Sequence, residues 1–236
     1  MGLEGCGCEV NNPIIFCDFD GTVTKKDNIV SIMKQFAPPE WEMWKDHVLS
    51  RSVSIQEGVG NMFRLLPTSL KQEITKFVLE NSEIREGFSE FVQYTKKQQI
   101  PLYIVSGGMD FFVRPILAPF DSIAGVFCNQ ADFLGETIQI QWPHPCDQTC
   151  TNQNCGCCKP AIIRQLSNAK THAIVIGDSV TDLEAAKISH TVIARDYLAE
   201  KCGEFSIPFQ PFDTFYDCID ILEKLQISSQ TKGVGK

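Results

Sequence analysis

Three short apolar runs, Ile14 to Cys17, Leu102 to Val105 and Ile174 to Ile176, punctuate the chain, and each stops at a polar or glycine-rich turn. Runs this short, rich in Ile and Val and without alternation, mark parallel strands buried on both faces. The turns are Asp18-Phe19-Asp20-Gly21, Ser106-Gly107-Gly108 and Gly177-Asp178-Ser179. Helical periodicity separates the runs, so the chain alternates β and α. That predicts an α/β fold with a Rossmann-like parallel sheet and helices on both faces. Ligands of such sheets bind at the carboxyl ends of the strands, where all three turns fall.

Between the first two strands lies an insertion of roughly 75 residues, far beyond the ~10 to 12 that a crossover needs. Its pattern is helical. One helix is expected over Asn28 to Phe36; Pro38-Pro39 stops it and supplies an N1 proline for Glu40 to Leu49, and Ser54 can cap Ile55 to Leu65. Ser69 with Gln72 reads as a capping box, with Leu70, Ile74, Phe77 and Val78 on one face behind it. A further amphipathic helix, with Phe88, Phe91 and Val92 apolar, is expected from Ile84 to Gln98. The resulting division is a core of residues 13–24 and 99–226 and a helical cap of about 25–98. Residues 129–158 form a hairpin and a cysteine-rich loop, the hairpin signalled by the alternation from Thr137 to Trp142 after Gly135. Lys159-Pro160 opens a helix to about Ser167. Residues 1–12 and 227–236 read as tails.

Composition narrows the function. The 236 residues are 43% hydrophobic and 21% charged, with a mean hydropathy of −0.07, as in a globular protein with a sizeable core. The 29 acidic and 21 basic residues give a net charge of −8, which argues against nucleic acid as a partner. No apolar run approaches the ~18 residues of a membrane span, so no membrane is expected either. The start MGLEGCGCEV lacks a basic region and an apolar stretch, which suggests a cytoplasmic protein. The cysteine count is eleven; an odd number below the density of a disulfide scaffold suggests mostly reduced thiols.

Two aspartates one residue apart are common, and alone Asp18 and Asp20 read as solvated turn residues or caps. A single Lys159 reads as a surface lysine, and Asp178 or Ser179 as a helix cap. Their order and placement at strand ends is what raises them. Asp18-x-Asp20-Gly-Thr, then Ser106, Lys159 and Gly-Asp178-x-x-x-Asp182 resembles the haloacid dehalogenase superfamily. The inserted helices resemble its cap, in the layout of the phosphoserine phosphatase type. Longer stretches, among them Asn28 to Trp41, Val105 to Phe112 and Cys155 to Pro160, resemble one branch of it: cytosolic, Mg²⁺-dependent phosphatases of methionine salvage acting on a phosphorylated enol.

The resemblance implies roles that chemistry can justify. Phosphate esters repel anionic nucleophiles, so Asp18 can attack phosphorus only where cations neutralise both partners, and Mg²⁺ prefers such oxygen ligands. Asp18 would form an aspartyl-phosphate, and Asp20 would protonate the leaving oxygen and then activate water. Asp18, the Asp20 carbonyl and Asp178 would hold Mg²⁺, with Asp182 as an outer or alternative ligand. Ser106, the Gly107 N–H, freed at a helix start, and Lys159 would bind the phosphate oxygens. The partner would be a small phosphorylated metabolite. A homodimer is compatible with the sequence but specified by no motif.

Other readings stay open. Ile32, Met33, Phe36, Trp41, Met62 and Phe63 can line a pocket for an apolar substrate tail, although such positions are more often core. Arg51, Arg64 and Glu57 can instead serve an amino-acid substrate, as in phosphoserine phosphatase, and a phosphomutase would pass phosphate to a second hydroxyl. From another class, Cys146, Cys150, Cys155, Cys157 and Cys158, with His144, have the spacing of a structural zinc module; a disulfide or plain thiols are the alternatives.

Overall fold

The computed structural model describes residues 12–225. Among these, seven strands form one sheet: β1 (Pro13–Cys17), β2 (Leu102–Met109), β3 (Gly125–Asp132), β4 (Gln139–Gln141), β5 (His172–Gly177), β6 (Thr191–Ala194) and β7 (Gln210–Pro211). Their order is β4-β3-β2-β1-β5-β6-β7, parallel throughout except for the β3–β4 hairpin. The three apolar runs are therefore the adjacent central strands. Ile15 faces Leu102 on one side and Ile174 on the other, and all three side chains are fully buried. An α/β architecture is thus shown, as the periodicity predicts.

Four helices fill the insertion: α1 (Asn28–Phe36), α2 (Trp41–Leu49), α3 (Ile55–Arg64) and α4 (Lys71–Asn81). Asp27 caps α1 by accepting from the Val30 N–H, and Ser54 caps α3 by accepting from the Glu57 N–H. Two expectations change. Pro39 lies ahead of the Glu40 cap rather than at the first helical position of α2. Ser69 forms no capping box, because Thr68–Leu70 winds as a 3₁₀ turn that feeds α4 directly.

The insertion leaves and rejoins the sheet through a neck. Thr24 and Ile84 form an antiparallel bridge, flanked by hydrogen bonds from Lys25 N–H to Glu83 O and from Arg85 N–H to Val23 O, both 2.8 Å. That extended neck is why the helix expected from Ile84 starts later, as α5 (Phe88–Lys97) behind a left-handed Gly87. The remaining helices are α6 (Asp110–Leu117), α7 (Lys159–Leu166), α8 (Leu183–Ala186), α9 (Asp196–Glu204) and α10 (Phe215–Lys224). α5 packs on α10, with Phe88 and Phe91 centroids 4.9 and 5.1 Å from Phe215.

One apolar cluster runs from the insertion into the sheet layer. Ile32, Met33, Trp41, Met62 and Phe63 share it with Phe112 and Ile138. Burial of a side chain such as Phe63 contributes about 1.5–3 kcal/mol, so the helices are held over the carboxyl ends of the strands by the same core that holds the sheet. No helix among the described residues is long and apolar enough to cross a membrane.

Candidate active site

β1 hands the chain directly to its motif. The Asp18 N–H donates to Ile176 O at 2.9 Å, so residue 18 still runs alongside β5 while Phe19 packs fully buried below. The chain then turns through Gly21, whose φ of +87° is left-handed; a Cβ there would stand 2.3 Å from Asp178 Oδ2. Glycine is required on both counts. It lets the β1 turn and the β5 turn approach until Thr22 Oγ1 donates to Asp178 Oδ1 at 2.6 Å.

Lys159, the first residue of α7, reaches under these turns. Its Nζ donates to both Asp18 Oδ1 and Asp182 Oδ1, and the three side chains are 6%, 5% and 1% exposed. Burial alone would push the ammonium down, but Asp18 and then Asp182 outweigh it and hold Lys159 above its usual range. Burial pushes the Asp18 carboxyl up, against the pull of Lys159 and with Asp182 and Asp178 adding to the rise.

Asp182 uses its other oxygen locally. Oδ2 accepts from the Ser179 N–H at 3.0 Å and the Ser179 hydroxyl at 3.1 Å, a capping box on the 3₁₀ turn Val180–Asp182 that precedes α8. Ser179, one of the two residues read as a cap, thus sits at the N-cap of this turn. Asp178 stays half-buried at the mouth, its carboxyl pushed up to about 6 by burial and by Asp182.

Asp18, Asp178 and Asp182 offer carboxylate oxygens that all lie within 4.8 Å of one another. Three carboxyl groups crowd the single ammonium of Lys159 here, and crowding and burial together push Asp18 and Asp178 up. Hard oxygen donors in that arrangement fit a divalent cation such as Mg²⁺.

Asp20 lies across from them. Burial and then the charge of Asp27 push its carboxyl up to about 7, against two hydrogen bonds from Asn28 that pull it down. Ser106 Oγ approaches Asp20 Oδ2 at 3.4 Å and accepts from the Gly108 N–H at 2.8 Å. The β2 turn differs from expectation in its cause. β2 continues to Met109, and its pairing with β3 is irregular between Val105 and Met109; α6 starts only at Asp110. An irregularity in strand pairing, rather than a helix start, shapes this stretch, and open space surrounds the place of a Cβ on Gly107.

A cleft of about 360 Å³ opens beside Lys159, between the insertion on one side and the cysteine loop and the start of α8 on the other. Arg51, Ser54, Ile55 and Glu57 line it from the α2–α3 turn and the start of α3, and Thr181 and Glu184 from the core. The apolar residues weighed for a substrate tail do not line it: Ile32, Met33, Trp41, Met62 and Phe63 are core, and Phe36 packs edge-on against Phe77. Arg64 is turned to Asn61 and Gln139.

The haloacid dehalogenase-like hydrolase profile matches residues 15–187, from the first strand past the last motif. The chain belongs to that family. A 2-hydroxy-3-keto-5-methylthiopentenyl-1-phosphate phosphatase of Geobacillus kaustophilus is 55% identical over 214 residues, 91% of this chain and 97% of that one. One from Bacillus velezensis is 54% identical over 226 residues, 94% and 96% of the two chains. Among solved structures, a phospho-aspartyl intermediate analogue of phosphoserine phosphatase aligns with a TM-score of 0.65 at 16% identity, over 91% of this chain and 99% of that one, a likeness of fold. The chain is a phosphoric monoester hydrolase of the haloacid dehalogenase-like family.

Around this candidate site, Asn28 and Arg85 escape a reading of the sequence, and Thr22 is legible only within a longer string. Thr22 holds Asp178, Asn28 holds Asp20, and Arg85, only 7% exposed, spans the neck. The Arg85 guanidinium donates to Thr22 O at 2.8 Å, to Gly21 O at 2.6 Å and to Asp213 O at 3.3 Å. A lone arginine 63 positions from its partner carries no local signal; Thr22 was legible only as part of the Asp-x-Asp-Gly-Thr string.

Proposed function

We propose that this chain is a cytoplasmic, Mg²⁺-dependent phosphatase that hydrolyses 2-hydroxy-3-keto-5-methylthiopentenyl-1-phosphate to the dihydroxy-ketone and phosphate, in methionine salvage. The observation that carries the reading is the buried Asp18–Lys159–Asp182 triad opposite Asp20, in a chain more than half identical to phosphatases of that name.

Asp18 acts as the nucleophile. Its free oxygen attacks phosphorus, the bond to the leaving oxygen breaks, and an aspartyl-phosphate forms. Asp20, pushed up to about 7, holds a proton near neutral pH and gives it to the leaving oxygen; the resulting carboxylate then takes a proton from the water that hydrolyses the acyl-phosphate. Ser106, the Gly107 N–H and Lys159 hold the equatorial oxygens, where charge gathers as the bond breaks. Lys159 also screens Asp18 from the incoming phosphate. Asp18, the Asp20 carbonyl and Asp178 would bind Mg²⁺, with Asp182 beside them. The ion, when bound, offsets the negative charge of nucleophile and phosphate. Burial excludes bulk water, which strengthens each of these interactions.

Phosphate release across a panel of phosphorylated enols, sugar phosphates and phosphoserine, with Mg²⁺ present, tests the substrate. The enol phosphate is expected to give a kcat/KM at least a hundredfold above phosphoserine. A preference for phosphoserine would move the assignment to an amino-acid phosphatase, for which Arg51 and Glu57 in the cleft supply the charges.

A further inference from the structure

The loop before Lys159 gathers sulfur. The Sγ atoms of Cys146, Cys150, Cys155 and Cys158 all lie within 4.8 Å of one another, with Cys150 and Cys155 at 3.7 Å. Four sulfurs at about 2.3 Å from a tetrahedral zinc ion would stand about 3.8 Å apart. We propose that these four cysteines form a structural zinc site, outside the phosphatase centre, which pins the loop that delivers Lys159.

The loop is shaped around that cluster. Gln153 and Asn154 take left-handed φ values of 54° and 48°, and Gly156 one of 76°. Non-glycine residues there carry strain of about 1 kcal/mol or more each, which persists only where surrounding structure imposes it. The Cys155 N–H points at Cys146 Sγ at 3.5 Å, so a backbone donor is aimed at one of the sulfurs, as suits a metal-bound thiolate. Arg164 Nε and Nη2 grip Asp147 at 2.7 Å each, which ties the residue after Cys146 to α7.

Position within the loop separates ligands from bystanders. Cys157 turns the other way, its Sγ 3.8 Å from Phe127 O, and is buried against the sheet with Phe16 and Val105. His144 packs its ring on Phe127 at 5.2 Å while its backbone carbonyl accepts from the Cys158 N–H at 3.1 Å. A set of four thiolates with no remaining position is closed, so the ion is structural and not catalytic. On binding, each thiol releases its proton to solvent and each sulfur donates a lone pair.

The site links two parts of the molecule. Cys158 is the residue before Lys159, and on the other side the Gln56 N–H of α3 donates to Asn154 O at 3.2 Å, while Gly156 faces Trp142 and Ile55. One ion thereby fixes the start of α7 and the contact between loop and insertion.

Metal analysis of the full chain, purified reduced and without chelator or added metal, tests this. One zinc per chain is expected in the wild type and in Cys157→Ser, with little or none in Cys155→Ser and Cys158→Ser. Cobalt(II) exchanged into the wild type should give the absorption of a tetrahedral tetrathiolate. Reduced wild-type protein that holds no zinc and takes none up on titration overturns the proposal, as does loss of zinc in Cys157→Ser equal to that in Cys155→Ser. Because the readout is metal content, its failure leaves the phosphatase reading untouched.

Discussion

Asn28 Nδ2 donates to Asp20 Oδ1 at 2.7 Å, and the Asn28 backbone N–H donates to the same oxygen at 3.0 Å. Asn28 opens α1, the first helix of the insertion, and its own Oδ1 accepts from Ser82 at the end of α4. The base of the insertion therefore holds the proposed acid and base of the core.

That contact sets a pH dependence. Donors to a carboxylate favour its ionised form, so Asn28 lowers the Asp20 pKa from where burial and Asp27 would otherwise put it. The protonated form donates to the leaving group, so kcat/KM should fall as pH rises through about 7. Asn28→Ala removes the side-chain donor and should move that fall upward by about one pH unit. A substrate with a leaving group that needs no proton, such as p-nitrophenyl phosphate, should show a much weaker fall. An unshifted profile in the variant would contradict the role given to Asn28.

Lys159→Met leaves Asp18 and Asp182 buried without their cation. Removing one partner of a buried ion pair costs about 3–5 kcal/mol. Without Lys159 to pull it down, the buried Asp18 carboxyl binds a proton more readily in the folded state than in the unfolded one, so the variant should regain stability as pH falls and lose it as pH rises. Its kcat/KM should drop about 10²- to 10³-fold or more, as for loss of one transition-state donor. Thermal denaturation at pH 5 and pH 8 checks the first expectation, and phosphate release the second.

Arg85 can be separated from the chemistry it supports. Arg85→Met strands the carbonyls of Gly21 and Thr22, each left unpartnered at about 1–3 kcal/mol. At roughly 2–4 °C per kcal/mol for a chain of this size, a fall in Tm of roughly 4 °C or more is expected. Lysine at this position lacks the planar fork that reaches the Gly21, Thr22 and Asp213 carbonyls together and should not restore the wild-type Tm.

Asp178 should govern the divalent ion. Added Mg²⁺ is expected to raise the Tm of the wild type by mass action, and Asp178→Asn to abolish that rise while retaining the fold. Since the Asp178 carboxyl is pushed up to about 6, protons compete with the ion below that pH, and the Mg²⁺-dependent shift should shrink as pH drops from 7 to 5. A chelator should stop phosphate release. A full Mg²⁺ shift in Asp178→Asn would remove this residue from the metal site.

Legibility in the sequence followed burial. The central strands β1, β2 and β5 are buried on both faces, so their apolar runs stand out and their polar ends locate the motifs. The outer strands carry mixed burial, as in Gly125-Val-Phe-Cys-Asn-Gln-Ala-Asp132, or are as short as Gln210–Pro211, and give no pattern to read. The same holds within the site. Asp18 and Asp182 stand at strand ends with telling spacing and Lys159 gains its place only through the joint motif order, whereas Asn28 and Arg85 act across the neck, a pairing visible only after the insertion has folded back. Spacing alone also could not divide Cys157 from Cys158, adjacent residues whose side chains face the sheet and the sulfur cluster.

The most direct test of the account is to quench the enzyme in acid during turnover of the enol phosphate and locate the bound phosphoryl group by peptide mass spectrometry. The account predicts one phosphoryl group on Asp18, labile to base and absent from Asp18→Asn, whose phosphate release is abolished. Phosphoryl on another residue, or sustained phosphate release by Asp18→Asn, would contradict it.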